Sequence, residues 1–233
     1  MAVTVVNDDS VFSSANAAGL LVSFDAGSGS NRCLAAVSAE DRGTTLTQTV
    51  TYNSVSMTAE ITAGTSRDIT LFSLAAPATG FNDLEMTNVE ANAACFLCGI
   101  ALEGVDQTTP VDATNSSVNS GSSQSSTVSS AVGDLCVDGI IVAVDTPTAD
   151  SGQTVRGTVS DIGNSDVGAS SEPGAASVTM GWSWATSKIN RHVIANFQAA
   201  VAAPGGRIMA SLVGAGGLAG RGGIAGQGGG LAA

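Results

Sequence analysis

Short runs rich in β-branched residues recur along most of this chain, broken every few positions by clusters of Gly, Ser, Asn and Asp, and helical periodicity is hard to find anywhere. Such runs bury their apolar faces by stacking one sheet on another. Candidate strands fall at residues 3–6, 19–24, 32–38, 45–52, 55–61, 68–74, 94–102, 125–130, 135–144, 154–159, 176–184 and 192–201. So many short strands at close spacing predict an all-β protein, an antiparallel β-sandwich of jelly-roll-like character. At 233 residues the chain accommodates one medium domain, or one domain with an appendage. Pro204, Gly205 and Gly206 break the last candidate strand, so the expected division is a sandwich over 1–204 and a glycine-rich C-terminal arm over 205–233.

Several stretches have readable local structure. "TQTVTYNSVSMTAEI" alternates on both sides of Asn53-Ser54, and Asn tolerates the positive φ of a tight turn, which predicts a hairpin. Val50 and Tyr52 share one face of its first strand, and Val55, Met57 and Ala59 share one face of its second. "DLCVDGIIVAV" is a nearly continuous apolar run, as in a central strand buried on both sides. "AASVTMGWSWA" places Val178, Met180, Trp182 and Trp184 on one face. With aromatics at only 4% of the chain, the two tryptophans are expected in the core, although a Trp-x-Trp pair also suits a sugar-stacking platform. Two polar stretches, 111–130 and 159–174, read as long loops gathered at a sandwich end, the first leading into an edge strand.

Charge narrows the function classes. Only 12% of residues are charged, against a usual share of about 25%, so the surface is built largely from Ser, Thr, Asn and Gly. Net charge is −12 and Lys188 is the sole lysine, which argues against nucleic acid and against an anionic membrane as partners. "MAVTVVNDDS" lacks a basic segment followed by an apolar one, so no secretory signal is expected, and no run reaches the roughly 18 apolar residues of a membrane span. The expected history is synthesis in a cytoplasm, with the chain staying there until assembly or release.

Catalytic and metal chemistry find little footing. His192 is the single histidine, at the start of an alternating strand, where a surface or capped residue is expected rather than a base. There is no Gly-x-Ser-x-Gly elbow and no phosphate-binding loop. Cys95 and Cys98 in "CFLC" have the gap of a zinc half-site, but on a strand positions i and i+3 point to opposite faces, so they and Cys33 and Cys136 are expected as buried free thiols. "NDDS" and "DIGNSD" cluster oxygen ligands without calcium-loop spacing and read as solvated acidic turns. No enzyme activity, metal or cofactor is expected.

The C-terminal stretch "GAGGLAGRGGIAGQGGGLAA" carries a six-residue repeat. Large aliphatics recur at Leu212, just before it, and then at Leu218, Ile224 and, one residue late, Leu231. Six is an even number and also two turns of a three-residue helix, so an extended arm of either kind presents the evenly spaced Leu212, Leu218 and Ile224 on one side. Alone, it has too little apolar surface to offset its ordering cost, so it is expected to pack on the sandwich, on sister copies or on a different partner. Leu212, Leu218, Arg221, Ile224 and Leu231 are the candidate partner-binding residues.

"GSGSNRCLAAVSAE", "VTYNSVSMT", "LEGVDQTTPVDA", "DSGQTVRG" and "SSEPGAASVTMGWSW" occur in that order over residues 19–201. Together they resemble a β-sandwich module of structural and tail-associated proteins of tailed bacteriophages and of surface proteins of environmental bacteria. The cysteines of "CFLCGIALEG" and the glycine-rich arm depart from that pattern. The resemblance implies a non-catalytic structural or binding module. The expectation is a virion protein, a capsid decoration or cement protein or a tail accessory, partnered with sister copies and with the major capsid protein or the tail. The alternative is a carbohydrate-binding or adhesive module that meets a glycan through Trp182 or Trp184 and the polar loops.

Overall fold

A computed structural model describes residues 1–13, 19–41, 47–87, 93–162 and 164–201. Within them every strand pairing is antiparallel, and no helix occurs. Residues Met1–Val201 form a compact unit by themselves.

The central sheet contains β1 (Thr4–Ser13), β3 (Cys33–Asp41), β6 (Thr58–Ala63), β7 (Arg67–Ala75) and β9 (Ala94–Glu103), in the order β1-β9-β3-β7-β6. A smaller sheet orders β2 (Leu20–Asp25), β8 (Phe81–Thr87), β4 (Thr49–Tyr52) and β5 (Val55–Ser56) as β2-β8-β4-β5. The third sheet runs β10 (Val111–Ser129), β15 (Ser177–Phe197), β11 (Leu135–Val142), β14 (Ser165–Pro173) and β13 (Thr154–Ile162), with β12 (Thr148–Ala149) paired to β15. The molecule is thus an all-β antiparallel sandwich, stacked in more than two layers.

Period-two alternation explains the stacking. On β3 and β9, Val37, Ala39, Phe96, Cys98 and Ile100 pack with Val137, Ile141, Val167 and Val193 of the third sheet. Their neighbours Leu34, Ala36, Cys95 and Leu97 pack instead with Phe24, Val50, Tyr52, Leu84 and Met86 of the small sheet. A strand covered on both faces needs apolar residues at every position, which is why these segments read as continuous hydrophobic runs. Close approach of the layers needs small residues. A Cβ on Gly139 would lie 2.6 Å from Val37 Cγ1, in a core packed too tightly to yield that space.

The hairpin around Asn53-Ser54 forms, with both residues at positive φ, 50° and 62°, as a two-residue connection of twisted strands requires. Its second strand is not the single alternating strand expected. It breaks at Met57, whose N–H donates to the Val50 carbonyl at 2.9 Å, and the chain crosses to the central sheet as β6. Val50, Tyr52 and Met57 are buried while Val55 is exposed, so the shared apolar face of Val55, Met57 and Ala59 does not exist.

Both expected polar loops are strands. Residues 111–129 form the 19-residue edge strand β10, and 165–173 form β14, buried over most of its length between β11 and β13. The "NDDS" acids lie within β1 rather than in a turn. The runs at 176–184 and 192–201 belong largely to one 21-residue strand, β15. Its register with β10 shifts once between Val111↔Phe197 and Ala113↔Asn196, is regular from there to Gly121↔Lys188 and resumes at Ser123↔Ser183, so residues 184–187 stand opposite Ser122. The β10/β15 ribbon bends there and folds back. Val128, Val178 and Met180 from its distal half pack on Cys136 and Ile194 of the sheet below, and the Asn115 side chain donates to the Thr127 carbonyl at 3.0 Å. The ribbon therefore forms a further layer on the outer face of β11 and β15.

Candidate functional site

The densest polar chemistry lies beneath that folded ribbon. On β11 the side chains of Cys136, Asp138 and Ile140 point away from the central sheet, and on β15 those of His192, Ile194 and Asn196 do the same. Asp138 and His192 are fully buried. His192 Nε2 lies 2.9 Å from Asp138 Oδ2, and Nδ1 lies 2.9 Å from Ser126 Oγ on the distal half of β10. Asp138 also accepts the Trp182 indole N–H at 2.8 Å and the Ser170 hydroxyl at 2.5 Å. Gln153 donates to Ser170 Oγ at 2.7 Å and accepts the Gly181 N–H at 2.8 Å.

A serine, a histidine and an aspartate thus stand in line, and the expectation of a surface or capped His192 is overturned. A carboxylate accepts, so Nε2 carries a proton towards Asp138, while Nδ1 and the Ser126 hydroxyl bond each other. Attack on a carbonyl needs room beside the serine for substrate and for oxyanion donors. Ser126 is 7% exposed and pairs across the ladder with Met180, and its Oγ also lies 3.3 Å from Ser117 Oγ. The bonding capacity of the group is taken up within the fold, as in a satisfied polar network that fixes one packing of two layers. One signal for it was visible in sequence: an aspartate inside "DLCVDGIIVAV" must find buried donors.

The tryptophans belong to the same layer. Trp182 is 1% exposed and Trp184 8%, and both pack with Ile140, Val142 and Ala149. Trp184 Nε1 donates to the Gly121 carbonyl at 2.9 Å, at the bend of the ribbon. The core expectation holds, and a solvent-facing stacking platform built on these rings is contradicted.

The motifs carrying the module resemblance occupy turns and locks. Arg32 donates to the carbonyls of Gly29 at 2.7 Å and Pro77 at 3.0 Å, while Glu103 accepts the Gly29 N–H at 2.7 Å. Gln107 reaches back to the Arg32 carbonyl at 3.0 Å. Asp106 accepts the N–H groups of Thr108 and Thr109, which holds its carboxyl below the usual range. "GSGSNRC" and "LEGVDQTTP" are thereby clamped together at one end of the central sheet.

All four cysteines are buried thiols outside any disulfide. Cys95 faces the small sheet and Cys98 the third sheet, so the two do not converge. Burial pushes the Cys33 and Cys136 thiols up to about 12 and that of Cys98 higher still. Among the described residues no group of His, Cys, Asp and Glu side chains is arranged to hold a metal ion.

The expected partner-binding residues, Leu212, Leu218, Arg221, Ile224 and Leu231, lie outside the described residues. Two further features belong to the described surface. Near the end of the compact unit, a cleft of about 320 Å3 is lined by Asp112, Ser129, Ala131, Val132, Asp134 and Ala199. Beside it runs the outer edge of β10. There the Ser116 and Ser120 N–H groups donate to the side chains of the preceding Asn115 and Asn119, each at 2.8 Å. Charge is divided unevenly along the chain: every Asp and Glu precedes residue 202, whereas Arg207 and Arg221 are the only charged side chains after it.

Comparison with protein families, curated proteins and solved structures finds no match to this chain.

Proposed function

We propose that this chain is a non-enzymatic structural protein of a tailed-phage virion, a capsid decoration or cement protein or a tail accessory, held to sister copies and to the particle by its C-terminal arm. The observation that carries this reading is the even spacing of Leu212, Leu218 and Ile224 in a glycine-rich segment that follows a self-contained sandwich. A segment so poor in apolar surface gains order only against a receiving surface. The module resemblance supports the virion setting. The internal bonding of His192, Asp138 and Ser126, and the burial of both tryptophans, support a body that serves as a rigid block. A lysine-poor surface of Ser, Thr and Asn suits a protein displayed on a particle.

The test is co-purification of full-length and arm-deleted chains with assembled particles and their major capsid or tail proteins. The expected outcome is that removing residues 205–233 abolishes incorporation. Equal incorporation of both forms would overturn the proposal.

A further inference from the structure

We propose that the free edge of β10 receives the C-terminal arm of a second copy of this chain, which adds to it as an extra strand; this deepens the assembly reading above and rests on it.

A sheet edge exposes unpaired N–H and C=O groups, and proteins ordinarily protect long edges with lysine, proline, inward charge or bulges, or keep them short. The other sheet-edge strands here follow that rule. β1 carries Asp8, Asp9 and a register break, β6 carries Glu60 and a break, β13 carries Arg156 and two breaks, β2 spans six residues with Asp25, and β5 spans two. β10 is 19 residues long, pairs with β15 alone among the described residues, and contains no Lys, Arg, Glu or Pro; its register with β15 breaks at Val111/Ala113 and at Gly121/Ser123, and the stretch from Ala113 to Gly121 between those breaks is a continuous, uncharged edge. Its one ionisable residue is Asp112, near the beginning.

The direction of its free donors can be read from local bonds. In an antiparallel ladder, successive residues address alternate sides. The N–H groups of Ser116 and Ser120 bond the side chains of Asn115 and Asn119 and therefore point away from β15, so the Val118 N–H between them points the same way. Those side-chain acceptors are local and exposed. A carbonyl from an added strand replaces each of them one for one.

The arm fits this edge on three counts. Residues 205–233 outlast β10, so one arm spans it. Glycine at most positions lets a second backbone approach closely, and the six-residue period sets Leu212, Leu218 and Ile224 on one face of a strand, where a peg can meet the 59% exposed Val118. Arg207 and Arg221 bring the arm's only charges to a body that holds all of the acids, including Asp112 and Asp134 at the cleft where β10 begins and ends. Because each copy carries both edge and arm, donation from copy to copy builds an assembly from one chain type.

The test is complementation in solution, using Val118→Pro in the full chain and a separate chain lacking residues 205–233. Proline at Val118 removes a donor the native ladder does not use, and an edge strand tolerates it there. The buried Trp182 and Trp184 report by fluorescence whether the ribbon is intact. If Val118→Pro disturbs them, Asn119→Lys, which charges the same edge, takes its place. The expected result is that each variant alone loses assembly, while an equimolar mixture forms a heterodimer through the intact arm of one and the intact edge of the other. The inference fails if arm deletion dissociates the protein but the edge variants assemble as well as the native chain, in which case the assembly reading stands and the receiving surface lies elsewhere. It fails also if the mixture does not associate, which would mean the arm engages its own edge. If arm deletion changes nothing, both readings fall.

Discussion

Replacing Asp138 with alanine would leave the Trp182 indole N–H, the His192 Nε2–H and the Ser170 hydroxyl without their acceptor in a layer closed to water. A buried donor left without its acceptor costs about 1–3 kcal/mol, so Asp138→Ala is expected to lower the unfolding free energy by at least that much and to move the denaturant midpoint down accordingly, with a red-shifted tryptophan emission as Trp182 loosens. The cysteines yield a second prediction. With thiols raised to about 12 at Cys33 and Cys136, and higher at Cys98, the thiolate is scarce and buried. A thiol-selective reagent at pH 8 is expected to leave them unmodified in the native protein and to label them after unfolding. Asp145 has the opposite displacement: the Thr186 hydroxyl and N–H bond its carboxylate and hold its pKa below the usual value. A depressed carboxyl contributes stability that is complete above its unfolded pKa and is lost as pH falls through the folded one. Asp145→Asn is therefore expected to flatten the acid side of the stability profile, below about pH 4, and thermal melts across that range would show it.

At the scale of elements, β11 and β14 show what made a strand legible. "DLCVDGIIVAV" was readable because a strand covered on both faces by apolar layers must itself be apolar. β14, its neighbour, is as buried yet reads "SDVGASSEP", since its outward positions meet hydrogen-bond partners and an indole ring instead of aliphatic side chains. At Gly168 a Cβ would sit 2.6 Å from the Trp182 ring, so nothing larger fits there and no periodic signal survives. β10 escaped for another reason: a strand with little burial on either face has no need of alternation, and Ser and Asn carry loop statistics. His192 was misplaced because its partners come from β10 and β11, 66 and 54 residues distant, which no local pattern encodes. The Asn53-Ser54 turn was legible, and its chemistry is suboptimal. Ser54 sits at φ 62°, a left-handed conformation costing a non-glycine residue about 1 kcal/mol. Ser54→Gly is expected to raise stability by about that amount in equilibrium unfolding.

For the whole molecule, the layered body and the arm are complementary in kind. The body buries Asp138, His192 and both tryptophans between its layers and turns a Ser- and Thr-rich surface outward. The arm has almost no charge, regularly spaced aliphatics and a backbone free to approach another closely. Together they support the proposed reading of a block joined to its neighbours by a strap. Light scattering coupled to size exclusion tests this most directly, by comparing the full chain with the chain ending at residue 204 at matched concentration. The account predicts a multimer for the full chain and a 1–204 protein of monomer mass with unchanged tryptophan emission, whereas the same state of association for both would contradict it.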